Sequence, residues 1–147
     1  MLRKLFNTTN EFSFTILRLG LGVVFFAHGC QKVLGWFGGN GLSATADMFT
    51  HHMNIPAPLA YLAIAAEFLG GLGLILGLLG RVAAFGILCN MVVAVITVHW
   101  QNGLFMNWAG TQKGEGFEYH ILAIVICLVL MREGSGALSF DRMLTRR

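Results

Sequence analysis

Charge is what this sequence has least of. Of its 147 residues, 12% are Asp, Glu, Lys or Arg, about half the roughly 25% of a soluble domain. With 56% hydrophobic residues and a mean hydropathy of +0.69, the chain belongs in a membrane. Cysteine is also sparse. Cys30, Cys89 and Cys127 are dispersed and odd in number, with no C-x-x-C and no C-x-x-C-H, so no thiol redox pair, cysteine cluster or covalent haem attachment can be read from them. They read as small apolar filler in helices. Low-complexity segments and internal repeats are absent. The first apolar run lacks a small-residue cleavage site after it, which predicts a retained span rather than a removed signal peptide.

The apolar residues come in four blocks: Phe12–Gly35, Pro58–Gly80, Val82–Trp100 and Glu118–Met131. The first three are long enough for a hydrocarbon core of about 30 Å at about 1.5 Å per residue. The fourth is short and must begin before Glu118 or meet a locally thin bilayer. The expected fold is an all-α membrane protein, a bundle of four transmembrane helices over 12–35, 58–80, 82–100 and 117–132. It forms one domain over 1–147, with no room for a separate soluble catalytic domain.

The net charge of +3 is a signal of topology, and no nucleic-acid partner is expected. Arg3, Lys4, Arg81, Arg132, Arg142, Arg146 and Arg147 gather on one side of the four spans, against Lys32 and Lys113 on the other. Cytoplasmic loops are enriched in Lys and Arg, so both termini are expected inside. Between the first two spans, Leu42, Ala46, Phe49 and Met53 recur at helical spacing. They predict a short amphipathic helix flat on the outer interface, with His51 and His52 on its wetter side and Pro56 and Pro58 ending it. The segment QNGLFMNWAGTQKGEGF reads as an interfacial or partly re-entrant cap. Short turns around Leu79–Arg81 and the tail GSGALSFDRMLTRR occupy the inner side.

Polar residues inside the spans can be placed by face and depth. Arg18, Phe25 and Lys32 are spaced by seven, with Gly22 and Gly29 on the same stripe and His28 and Gln31 beside it. Glycines admit a neighbouring helix, so the stripe faces the bundle. On the second span Ala60, Ala63, Glu67, Gly70 and Gly71 share a face; on the third, Gly86, Asn90, Ala94 and Thr97. On the fourth, His120, Ala123 and Cys127 align, with Glu118 about 160° away from His120. Lys32, His99, Glu118 and His120 lie shallow from the outside, His28 a turn or two deeper, and Glu67 and Asn90 deepest. Arg18 falls in the inner third. Most of these groups line an expected outward-opening pocket floored by Glu67 and Asn90. An ionisable group at mid-membrane costs about 2.5–3.5 kcal/mol on insertion scales, which argues for a use or a partner. Glu67 can be neutral, or pair with Arg18 or Lys32. His99 lies opposite the Asn90 face on a regular helix and contributes only if the backbone departs from that geometry.

The run RLGLGVVFFAHGCQKVLGWFGGNG, followed by EFLGGLGLILGLLGR, an outer His99, the pair Glu118–Tyr119 and the ending GSGALSFD, resembles the DoxX family of small bacterial membrane proteins over nearly the whole chain. The resemblance implies a four-span bundle in the bacterial inner (plasma) membrane. It points to Arg18, Gly29, Gln31, Lys32, Glu67, Gly70, Arg81, His99 and Glu118 as matched positions. Some members are similar to a subunit of a thiosulfate:quinone oxidoreductase, and others are linked to membrane redox complexes.

Three functions fit these residues. In the first, the chain is a redox-associated membrane subunit binding a quinone or a small sulfur compound. His28 or Lys32 donates to the ligand and Glu67 exchanges the proton accompanying the electron, with His28 and Glu67 the catalytic pair. Gln31, Lys32, Asn90, Arg18, His99, Glu118 and His120 would bind the ligand, with no metal site. No histidine spacing specifies a haem, so electrons come from a redox partner protein or from the substrate. In the second, the polar residues hold the helices of a non-enzymatic scaffold or anchor together, in a monomer or a homo-oligomer. In the third, they mark a small-solute or proton pathway.

Overall fold

The structure is a computed structural model and describes residues 5–145. Arg3, Lys4, Arg146 and Arg147, four of the residues that carry the orientation argument, lie outside the described residues. The described residues contain helices and no strand. Helix α1 spans Phe12–Leu34, α2 Gly41–Asp47, α3 Ala57–Leu76, α4 Gly80–Ala94, α5 Glu118–Glu133 and α6 Phe140–Thr145. Two wider π-helical turns extend this set, Met48–His52 after α2 and Val95–His99 after α4.

Among the described residues three helices are long and apolar enough to cross a membrane: Phe12–Leu34, Ala57–Leu76 and the continuous Gly80–Asn102. Their outer surfaces carry Ile16, Val23, Leu69 and Ile96, each more than half exposed, a surface that hydrocarbon would cover and water would not tolerate. Helix α5 has 16 residues and a length of about 24 Å, short of a full crossing, and also shows Leu122, Val125 and Leu128 outward.

Helix α1 packs mainly on α3, and α4 lies between α3 and α5. The approach of α1 to α3 depends on absent side chains. A Cβ on Gly29 would run into the Phe68 backbone, and one on Gly71 into the Phe26 backbone, as the small-residue stripe predicts. Leu21, Phe25, Leu74, Ala84, Ile87, Met91, Ala123, Cys127 and Leu130 form the buried core. Cys30 and Cys127 are buried and Cys89 exposed, all with free thiols.

Two expected boundaries move. The inner turn falls at 77–79 rather than at Leu79–Arg81, because Gly77 ends α3 with φ +67° and Leu79 follows at φ +52°. The helix on the outer side ends at His52, before the prolines, and Pro56 caps α3 instead.

The end of the bundle that holds the α3–α4 turn and the tail is tied by hydrogen bonds. Arg18, 2% exposed, donates to the carbonyls of Leu74, Ile75, Ser135 and Leu138. Asp141 is also buried and accepts from the amides of Leu79 (2.7 Å) and Gly80 (3.0 Å) and from the Ser135 hydroxyl (2.6 Å). It thereby caps the start of α4 from the far end of the chain. Arg81 donates to the carbonyls of Asn7 and Met131. Of the two partners expected for Glu67, Arg18 is therefore not the one it meets. Its guanidinium is committed to backbone carbonyls at the opposite end of the bundle.

Candidate functional site

The polar cluster in the opposite half of the bundle begins with Lys32 on α1 and Glu67 on α3. The Lys32 ammonium pairs with Glu67 Oε2, the two side chains being 23% and 10% exposed. From α4, the Asn90 side-chain amide donates to the Ala63 carbonyl at 2.7 Å and reaches Glu67 Oε1 at 3.5 Å. Three helices therefore meet on one carboxylate. Pairing within the bundle offsets the expense of burying that charge, and the Asn90 amide helps to occupy its second oxygen.

His28 does not join this cluster. It is exposed and its Nδ1 lies 3.1 Å from Gln31 Oε1, while Gln31 donates to the Phe37 carbonyl at 3.2 Å. The expected inward wall of His28 and Lys32 is corrected: one turn of helix separates them, but only Lys32 reaches the facing helix. Gln31 instead ties the end of α1 to the turn after it.

On the α4–α5 side, His99 and His120 stack, with ring centroids 4.1 Å apart and planes tilted by 44°. A regular helix would have turned His99 away. The wide turn Val95–His99 inserts one extra residue, so His99 takes the place of the eighth residue after Asn90 and lies about 80° from its face rather than about 180°. His99 Nδ1 lies 2.8 Å from the Glu115 carbonyl oxygen. With their faces this close, the two rings leave no room for a macrocycle between them, so they do not fit a shared haem. Among the described residues no three His, Cys, Asp or Glu side chains gather as a metal-ligand set.

Two buried polar atoms here have no partner: His120 Nδ1 and the Tyr119 hydroxyl. Tyr119 stacks on Phe25 at 6.4 Å and meets His120 edge-on at 5.7 Å. Buried polar groups are nearly always bonded, so an unpartnered donor and ring nitrogen side by side mark a place for a ligand or water. Tyr119 was present in the sequence as half of Glu118–Tyr119, yet nothing in periodicity assigned it a role. Its signal is a hydroxyl amid an apolar block, next to the inward-facing His120. Glu118 itself turns to the outer loop, where its Oε1 accepts from the Met106 amide (2.9 Å) and the Trp108 indole (3.2 Å).

The site can therefore hold a carboxylate proton acceptor against an ammonium and present an unused hydroxyl and an unused ring nitrogen. The DoxX family model matches residues 13–100, which hold α1, α3, α4 and the Lys32–Glu67–Asn90 cluster. An "Uncharacterized protein" of Haemophilus influenzae is 29% identical over 136 residues, covering 91% of this chain and 84% of that protein. "Putative oxidoreductase CatD" of Bacillus subtilis is 28% identical over 135 residues, 92% of this chain and 89% of that one. No solved structure matches the chain.

Proposed function

The chain belongs to the DoxX family, and from that premise we propose that this multi-pass membrane protein is a quinone-binding subunit of a membrane redox complex. In this reading α5, at its 16 residues, completes a fourth crossing where the bilayer thins. The membrane is the bacterial inner membrane, with both termini cytoplasmic. The observation that carries the reading is the buried Glu67 carboxylate, paired to Lys32 and reached by Asn90, in the same outer half as the unpartnered Tyr119 hydroxyl and His120 Nδ1. A relative bearing the name of an oxidoreductase supports the redox class.

Reduction of a quinone to a quinol takes up two electrons and two protons. The electrons come from a redox partner protein or from the substrate, and what this chain supplies is the seat and a relay for the two protons. Glu67 holds a proton-accepting carboxylate away from bulk water. It takes up each proton in turn and passes it to the reduced ring, with Lys32 as its partner between transfers and Asn90 fixing its orientation. Tyr119 and His120 offer hydrogen bonds to the ligand's oxygens.

Purification in mild detergent, solvent extraction and quantification of quinone per chain test the reading. Wild type should carry close to one quinone per chain, and folded Glu67→Gln and Glu67→Leu should each carry at least about tenfold less. A Glu67→Leu protein that is markedly more stable and keeps its quinone would sink this function. It would favour the second reading, a non-enzymatic scaffold, which the mutual satisfaction of Lys32, Glu67 and Asn90 already suits.

A further inference from the structure

At the end of the bundle that holds the α3–α4 turn, a hollow of about 290 Å³ is lined by Leu5, by Arg81, Val82 and Phe85 of α4, and by Met131 of α5. Val82 and Phe85 are 47% and 54% exposed on a helix long and apolar enough to cross a membrane. The hollow therefore opens on hydrocarbon at the edge of the span. Among the described lining residues Arg81 alone is charged. Two carbonyls hold its guanidinium: Nε donates to Asn7 at 3.1 Å, and Nη1 donates to Met131. Nη2 has no partner among the described residues. It is also not one of the buried side-chain atoms that lack a partner, which are Thr9 Oγ1, the Tyr119 hydroxyl and His120 Nδ1, so it is open to its surroundings. No described carboxylate forms an ion pair with Arg81, and Glu133, two residues beyond Met131, pairs with Arg132 instead.

We propose that this hollow seats an anionic phospholipid, its phosphate on Arg81 Nη2 and one acyl chain along Val82, Phe85 and Met131. The charge chooses the head group. A guanidinium at the edge of hydrocarbon, with no carboxylate to answer it, calls for an anion, and phosphate oxygens suit its unspent hydrogens. A zwitterionic lipid already balances its phosphate with its own ammonium and gains less. The apolar wall chooses the rest, since a free anion would leave it uncovered. Two carbonyls already hold the guanidinium in place, so binding costs it little further freedom. With both termini cytoplasmic, the hollow lies in the leaflet whose surface is negative. The proposal is independent of the quinone reading, because Lys32 and Glu67 lie in the opposite half of the bundle.

The test is native mass spectrometry of the full chain in detergent. It is titrated with phosphatidylglycerol or with phosphatidylethanolamine of the same acyl chains, and melting temperatures are read in parallel. Wild type should bind phosphatidylglycerol at least about fivefold more tightly, and melt higher with it. Val82→Trp fills the hollow from a half-exposed position and leaves Arg81 in place. It should abolish the preference without lowering the melting temperature of the lipid-free protein. Arg81→Gln also loses two carbonyl bonds and should melt lower without lipid. A guanidinium that only tied α4 to Asn7 and α5 would leave the preference intact in the folded variant, whereas the expected result is equal affinity for the two lipids. Should Arg81→Gln fail to fold, Val82→Trp decides alone. Equal affinity in wild type, or a preference that survives either substitution in a folded protein, would overturn the proposal. So would inorganic phosphate that reproduces the whole gain in melting temperature, which would make the hollow a free-anion site.

Discussion

Lys32 and Glu67 show what a residue at membrane depth needs. Lys32 lies near the outer end of α1 and could have turned to the interface, but its ammonium goes to a carboxylate that has no such escape. The pair is asymmetric, and that asymmetry is measurable. Removing one partner of a buried pair costs about 3–5 kcal/mol. Glu67→Gln should fall below that range, because Lys32 keeps 23% of its side chain exposed and can snorkel outward. Lys32→Met strands Glu67, 10% exposed, and should be the more damaging single change. The double variant Lys32→Met/Glu67→Leu removes both charges and should melt no lower than wild type in detergent. A double variant as unstable as Lys32→Met alone would show that the pair is not the reason the single change hurts. Lys32 and Glu67 were legible in the sequence, since a count of turns from the span ends gives their depths and the glycine stripe gives their direction. Arg18 was not. Its partners are carbonyls of Leu74, Ile75, Ser135 and Leu138, and every residue has a carbonyl, so composition carries no mark of which ones a buried guanidinium will meet.

At the scale of elements, departures from regular helix decide which residues meet. The wide turn Val95–His99 brings His99 onto His120, against the expectation from a constant 100° per residue. Nothing in VITVH announces an extra residue in the turn, because β-branched residues suit several backbone forms. The contact of α1 with α3 was readable, since Gly22, Gly29 and Gly71 fall where a helix must come close. The tail GSGALSFD was visible as a motif, but its work was not. Asp141 closes the α3–α4 turn by accepting from its amides, and the Ser135 hydroxyl donates to Asp141. This contact spans some sixty residues of sequence and leaves no local pattern. The polar groups at that end are thereby committed to one another, while the unpartnered polar atoms on α5 lie near its start, at the opposite end.

For the whole molecule, hydropathy alone delivered an all-helical membrane protein, because hydrocarbon tolerates little else. The count of crossings is finer than hydropathy allows when one helix has 16 residues. Orientation is testable on the intact chain. The basic residues Arg81, Arg132 and Arg142 lie with the inner turn and tail, so a reporter fused to the C-terminus should be active as a cytoplasmic protein. Alkaline phosphatase activity there would reverse the assignment, along with the outward direction of the site. The central claim is that the outer half of the bundle seats a lipid-tailed ring within reach of Glu67. Its most direct test is an experimental structure of the protein purified from its own membrane into nanodiscs with native lipid. The expected result is elongated non-protein density in the half of the bundle that holds Lys32 and Glu67, with its ring within reach of Glu67. A dry, side-chain-filled interior around Lys32 and Glu67, with no such density, would contradict it. So would a continuous aqueous path through the bundle.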